Sequence, residues 1–551
     1  MKKRAIAWIL SAALALTLIP GQGADVRAEE PEAPAQIEAE EGREKLNFNQ
    51  GWKFVRQYIP EAVNVDYDMA ELERWESVDL PHTVREEPYN SSGGKNYQGQ
   101  AMYRKHFYLS ESYAEKKLYI EFEAVMGVTD VWVNGEHLQG HMAAKTGENT
   151  QYGGYLPFVL DITDYVHCDG EANVITVLTD NSDNENVPPG KPQSQLDFTY
   201  FGGIYRNVWL HSVNPVHITD ELYEDEVAGG GILIDYPQVS EETASADIST
   251  HVRNEEDTEV TVTVNTQIVD QEGEVKGEAE DEITLGAGEA ETVAQELTVE
   301  DPHLWSLDDP YLHTVVSKVY VDGEETDRVE TTTGIRTITM DTENGVLING
   351  EHPGFLSGVN RHQEYPYIGY AASSSLQRKD AVKFKSAGFN IVRTAHHPQS
   401  EDFLEACDEL GILVIESVPG WQHWSSDPVF AERVENDIRQ MIRRDRNHPC
   451  IFTFEISLNE SPGVPENFTN EMEAAAKVEG PSVRTSAENP HSGAQADVLY
   501  GTPDEVASWS DSALSLIREY GDFWEEQFGS FTDSCRVTRG EGSFYPGGEA
   551  R

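Results

Sequence analysis

Two carboxylates sit where buried strands would pass their chain to a loop. The run Cys450-Ile451-Phe452-Thr453-Phe454-Glu455-Ile456-Ser457-Leu458 is rich in β-formers and follows Arg446-Asn447-His448-Pro449, a basic helix end with a proline break. It reads as a parallel strand covered on both faces, with Asn459-Glu460 at its C-terminal end. A second such end is Ile517-Arg518-Glu519-Tyr520-Gly521. Where repeated βα units close into a barrel, these strand ends converge on one pocket. Two carboxylates there can work on an acetal, one giving a proton to the leaving oxygen and the other attacking carbon, which is the cleavage of a glycosidic bond.

Two further strand ends carry polar groups, Asn360-Arg361-His362 and Arg393-Thr394-Ala395-His396-His397. Any one of the four could be a cap or an inter-strand ion pair, and a single histidine near a strand is more often structural. Four together favour a shared pocket. Trp421, in Pro419-Gly420-Trp421-Gln422-His423-Trp424, could stack on a sugar or fill space above the barrel. There is no G-x-S-x-G elbow, no H-E-x-x-H and no phosphate-binding G-x-x-x-x-G-K-[ST] loop. His137 and His141 have metal-like spacing, but they lie in a β-rich stretch beside a turn and lack the further ligands a tetrahedral site needs. No metal site is expected.

The elements that must position these residues form a multidomain β plus α/β chain. From 339 to 551, strands at 355–360, 390–394, 412–418, 451–458, 483–486, 498–500 and 516–519 alternate with helical patterns at 375–387, 400–410 and 427–444. In the second of these helices Ser400 reads as the cap, with Phe403, Cys407 and Leu410 on one face. This alternation predicts a (β/α)8 TIM barrel, and with seven strands counted the last βα unit is expected to be missing. Residues 45–217 carry short strands separated by Gly, Asn and Asp turns, including an Asn134-Gly135 hairpin signal, and read as a jelly-roll β-sandwich. Residues 218–338, with strict alternation over 257–264 and no cysteine, read as an immunoglobulin-like β-sandwich.

The N-terminus reads as a signal peptide over 1–28. Lys2-Lys3-Arg4 precedes an apolar stretch ending at Ile19, and Val26-Arg27-Ala28 offers cleavage after Ala28. Residues 29–44 read as an acidic disordered linker. The protein is therefore expected to be secreted, and no later segment reaches the apolar length of a membrane helix. With 98 acidic against 40 basic residues the formal charge is −58, which argues against nucleic acid or an anionic membrane as partner. Cys168, Cys407, Cys450 and Cys535 are widely spaced and read as small core residues, not a disulfide framework.

The chain resembles glycoside hydrolase family 2, the β-galactosidases, β-glucuronidases and β-mannosidases, from Leu46 onwards. Residues 75–83 and 201–209 resemble the family's sugar-binding jelly roll, and 302–306 with 310–312 its immunoglobulin-like domain. Gly358-Val359-Asn360-Arg361-His362, Val392-Arg393-Thr394-Ala395-His396 and residues 444–449 resemble its barrel. The resemblance implies that Glu460 is the general acid/base and Glu519 the nucleophile of a retaining exo-β-glycosidase. It implies that Asn459 holds the sugar 2-hydroxyl, that His362, Arg393 and His396 line the pocket, and that Asp197 reaches sugar hydroxyls from the jelly roll. A terminal β-D-galactoside is the implied substrate, with a β-glucuronide or another β-glycoside as the alternative. The rival of a different class is a non-catalytic carbohydrate-binding chain. The galactosidase branch can place a metal-binding carboxylate after the third strand; Trp421 stands there, so no cofactor, Mg²⁺ included, is expected to be required.

Overall fold

The computed structural model describes residues 36–40, 42–87, 96–138, 149–196, 198–465, 467–488, 495–501, 503–508 and 514–517. The expected signal peptide, His141, Cys535 and two candidate site residues, Asp197 and Glu519, lie outside them.

Residues 44–213 form two antiparallel sheets. One orders Glu44–Asn47, Val208–Val213, Lys117–Phe122 and Phe158–Asp161; the other is built on Gln100–Tyr108, Ala172–Asp180 and Gly127–Val133. Their inner faces bury Trp52, Phe54, Tyr103, Phe122 and Val131 in one core, as period-two alternation requires. The Asn134-Gly135 hairpin forms as expected: both residues have left-handed φ (51° and 86°), and Trp132 pairs with His137 across the turn. His137 stacks on Trp132 at 4.6 Å and bonds to Asp130 at 3.1 Å, which explains its position without a metal.

Between Val216 and Thr333 a second sandwich packs Val216–Ile218, Thr243–Asn254, Ile232–Val239 and Ala290–Glu300 against Val275–Leu285, Val260–Val269, His313–Val321 and Glu324–Thr333. Its core is aliphatic, with Val262, Val264, Ile268, Val315 and Val319 fully buried, so hydrophobic burial holds it where other sandwiches add a disulfide.

The third unit is a curled parallel sheet in chain order: β1 Gly358–Arg361, β2 Ile391–Thr394, β3 Leu413–Ser417, β4 Ile451–Glu455, β5 Thr485–Glu488, β6 Val498–Gly501 and β7 Ser515–Ile517. Every residue of β2, β3 and β4 is buried, which is why they read as apolar runs without alternation. Helices α1 Ser374–Ser386, α2 Glu401–Leu410, α3 Pro428–Asp445, α4 Phe468–Lys477 and α5 Pro503–Ser508 lie among them. α3 starts where Pro428 follows Asp427, whose carboxylate accepts from Val429 N–H at 3.1 Å.

Two local expectations need correction. β1 begins at Gly358 and not at 355, because its partner β2 first offers Ile391 opposite Gly358; Phe355 is 81% exposed. Ser400 stands at the N-cap of α2, but its hydroxyl donates to Asp402 at 3.2 Å instead of accepting a backbone N–H. α4 and α5 add two helices to the three expected; in α4, Glu471-Met472-Glu473-Ala474-Ala475-Ala476-Lys477 is a run of strong helix formers.

The immunoglobulin-like unit docks on the barrel at the end opposite the candidate site. Arg336 donates to Pro449 O and Ile451 O, and the Trp305 indole N–H donates to Asp408 O at 2.9 Å. The Asp408 carboxylate bonds His448 Nδ1 at 2.5 Å with one oxygen and accepts Cys450 N–H at 2.8 Å with the other. A carboxylate, an imidazole and a thiol thus come together, but as a hydrogen-bonded knot whose acceptors are taken. Burial lowers the His448 pKa, but Asp408 outweighs it and raises the imidazole to about 9. A folded value above the unfolded value of roughly 6.5 stabilises fully below that pH, and the stabilisation is lost as pH rises through 9. Asp408→Asn should therefore lower the barrel's stability at pH 6 by about 3 kcal/mol, the cost of breaking a buried pair from one side, read from urea unfolding. The gap to wild type should narrow by pH 9.5; a constant gap would refute the ionic role.

Candidate active site

β4 ends at Glu455, and the next five residues cross the mouth of the sheet. The Arg393 guanidinium, on β2, donates to both oxygens of Glu455 at 2.6 Å, and its Nη2 also reaches Asn459 Oδ1 at 3.2 Å. Ser417 Oγ, at the end of β3, donates to Glu455 at 2.7 Å, and the Tyr500 hydroxyl, on β6, donates to the other oxygen. Burial alone would push the Glu455 carboxyl up, but Arg393, with the Tyr500 and Ser417 hydroxyls, holds it below the usual carboxylate range. Burial, and then Glu455, push the Tyr500 phenol well above its ordinary value, so it stays a donor. Four strands are thereby tied together by one ionised carboxylate.

Asn459 and Glu460 stand on that platform. Asn459 is buried, while Glu460 is exposed at the mouth. Glu460 N–H donates to Glu488 at the end of β5 (2.8 Å), and Gln422 N–H donates to Asn459 O (2.8 Å). The Gln422 side-chain amide donates to Glu460 Oε2 at 2.8 Å, and its carbonyl oxygen accepts from Lys191 Nζ at 2.6 Å. A relay from the jelly roll to the carboxylate results. Glu460 and Gln422 both have left-handed φ, 51° and 48°. For non-glycine residues that conformation is uncommon and is held by surrounding contacts, here by the bonds just described.

The other candidates gather around a jelly-roll loop that reaches over the barrel. Phe198, next to Asp197, places its ring 6.0–6.2 Å from those of His362, His396 and Trp421. Thr199 N–H donates to Glu364 at 2.8 Å, and Arg206 donates to Pro398 O at 3.0 Å, fixing that loop on the strand ends. Trp421 is only 8% exposed: Lys191 Nζ stands 3.9 Å over its ring and His396 stacks on it at 6.2 Å. Little of the indole is left for a ligand, which favours the space-filling reading. Arg361 turns away to Gln377 and Asp380 and is structural. β7 pairs with β6 through Leu516 opposite Tyr500 and ends at Ile517; Glu519 itself lies outside the described residues.

Arg393, Asn459, Glu460, His362, His396 and Trp421 therefore lie together at the strand ends. Sequence reasoning missed Glu455, Glu488, Tyr500, Ser417, Gln422 and Lys191. Glu455 carried a usable signal, since a charged residue that ends a wholly buried strand must be paired. Lys191 carried none, because its position depends on how one domain folds over another.

A jelly-roll sandwich, an immunoglobulin-like sandwich and a curled parallel βα sheet with a strand-end carboxylate define a class, the multidomain glycosidases. Within it, models of glycosyl hydrolases family 2 match three successive stretches: the sugar binding domain over 47–214, a second domain over 233–336 and the TIM barrel domain over 340–527. The chain belongs to glycoside hydrolase family 2. A β-galactosidase of Thermoanaerobacter pseudethanolicus is 36% identical over 421 residues, covering 76% of this chain and 52% of the relative. A β-glucuronidase of Formosa agariphila is 31% identical over 433 residues, covering 75% and 42%. The crystallised Bacteroides uniformis β-glucuronidase 2, covalently bound to cyclophellitol-6-carboxylate aziridine, superposes with a TM-score of 0.77 at 26% identity, covering 88% of this chain and 60% of that one. The chain spans about half the length of the curated relatives it matches.

Proposed function

We propose that this chain belongs to a secreted, retaining exo-β-glycosidase that removes terminal β-D-galactosyl units. The observation that carries the reading is Glu460: a carboxylate at the mouth of the barrel, beside a buried Asn459, with its oxygen aimed by Gln422. In the first step the Glu519 carboxylate attacks the anomeric carbon while Glu460 gives its proton to the departing glycosidic oxygen, forming a glycosyl-Glu519 ester and a free alcohol. In the second, Glu460 takes a proton from water, whose oxygen displaces Glu519 and restores it. Asn459, positioned by Arg393, is assigned to the 2-hydroxyl; His362, His396 and Asp197 are assigned to the remaining hydroxyls, with Trp421 as a wall of the pocket. The galactoside assignment rests on likeness to β-galactosidases, two of which share 36% and 32% identity with this chain. The second reading, a β-glucuronide, is favoured by the likeness to β-glucuronidases.

Hydrolysis of nitrophenyl β-galactoside, β-glucuronide and β-mannoside discriminates the substrates, and an NMR time course should show the β-anomer of the sugar first. The α-anomer appearing first would overturn the double displacement. Binding of sugar with no turnover would favour a non-catalytic chain. The relay makes a separate claim. Gln422→Asn keeps a residue that tolerates the left-handed backbone but shortens the amide beyond reach of Glu460. It should lower kcat for a phenyl glycoside about tenfold with KM nearly unchanged, as loss of a transition-state interaction does. An equal rise in KM with kcat intact would assign Gln422 to binding instead.

A further inference from the structure

A second cleft, of about 560 Å³, opens between the jelly roll and helix α3. Its wall includes the strand Gln151–Gly153 on one side and successive turns of α3 on the other, and contains none of Arg393, Trp421, Asn459 or Glu460. The volume falls in the range of roughly 300–1,000 Å³ typical of small-molecule sites.

The polar groups facing this cleft lack the partners that buried groups ordinarily have. Asp437 is 7% and Gln440 5% exposed, and neither side chain makes a hydrogen bond among the described residues. The Gln151 side-chain nitrogen is buried in the same wall without an acceptor. Buried polar groups are satisfied in the great majority of proteins, so the orphaned Gln151 nitrogen, with the largely buried Asp437 and Gln440 turned to the same cleft, points to something they are built to meet. Burial pushes Asp437 up to about 8 against the pull of Arg433, which favours the neutral acid, able both to donate and to accept.

The charge pattern selects the ligand class. Glu435 is already paired with Arg439 at 2.8 Å, and Arg433 lies beside Asp437 with its guanidinium 3.7 Å over the Tyr152 ring. The remaining carboxylate, Glu432, is exposed at the rim, so the buried part of the cleft holds neither a cluster of carboxylates for a cation nor a basic cluster for an anion. What remains is acid and amide groups facing one another across a space bordered by Leu156 and Val429. Hydroxyls both donate and accept, and a pyranose ring also offers a C–H face to apolar side chains. We propose that this cleft is a second carbohydrate-binding site, for one or two neutral hexose units, separate from the strand-end site.

Hydrogen–deuterium exchange on the whole chain, with saturating methyl β-D-galactopyranoside, methyl β-D-glucopyranoside or methyl α-D-mannopyranoside, tests this independently of catalysis. At least one glycoside should slow exchange in peptides covering 149–158 and 429–440. Asp437→Leu and Gln440→Leu should each weaken that response about tenfold, as loss of one hydrogen bond in a buried site does. Asp437→Asn, which keeps a donor and an acceptor, should stay within about threefold of wild type. Turnover of nitrophenyl glycosides should not change in any of the three, so a failed glycosidase assay and a failed cleft remain distinguishable. No protection by any of the three glycosides would overturn the proposal, and so would protection unaltered in both leucine variants.

Discussion

Glu460→Gln lowers kcat/KM for a phenyl β-glycoside by about 10²–10⁴-fold, the range general acid–base catalysis contributes. The same substitution costs far less for a dinitrophenyl glycoside of the same sugar. Phenoxide is a basic leaving group and needs a proton as the bond breaks, whereas dinitrophenoxide departs without one, so the loss follows the leaving group. The glycosyl-enzyme ester should then accumulate, because water must attack without a base. In Glu460→Ala, azide should restore turnover and give a β-glycosyl azide, since an anion needs no proton removed and the truncated side chain leaves it room. Glu519→Ala should behave differently: loss of the nucleophile abolishes ester formation whatever the leaving group. Equal losses for phenyl and dinitrophenyl substrates in Glu460→Gln would remove Glu460 from the acid role.

The contrast between those two residues also marks what could be read without coordinates. The order of two sandwiches and a parallel βα sheet was legible because hydrophobic period changes from two, to two again, to unbroken apolar runs. Glu460 and Asn459 were legible because β4 is buried throughout, so the first exposed polar residue after it has to be at the sheet's end. What supports Glu460 was not legible. Gln422 reaches it only because residue 422 takes a left-handed conformation after Trp421 pairs with Asn459. Lys191 reaches Gln422 only because the jelly roll folds across the barrel. The seam between Gln151 and Asp437 is likewise a product of domain packing, and pattern along one chain carries no term for it.

Glu455→Gln should destabilise the barrel more than any substitution at the exposed Glu460. The substitution keeps the shape of the side chain and removes its charge. Arg393, a guanidinium only 4% exposed, then loses the carboxylate charge that its Nε and Nη2 both face, and the hydroxyls of Tyr500 and Ser417 compete for one weaker acceptor. Breaking a buried ion pair from one side typically costs about 3–5 kcal/mol, because the surviving charge stays desolvated. The barrel transition followed by tryptophan fluorescence in urea measures it, and Arg393→Met with Glu455→Leu completes a cycle in which the double variant should lose less than the sum of the two singles. The pH dependence supplies a separate check. A carboxyl whose folded pKa lies below its unfolded value of about 4.5 contributes stability above that pH and loses it as pH falls through the folded value. The gap between wild type and Glu455→Gln should thus be full at pH 7 and shrink on acidification below about 4.5. A gap that widened in acid would mean that Glu455 is held as a neutral acid, and that Arg393 is anchored by something other than its charge.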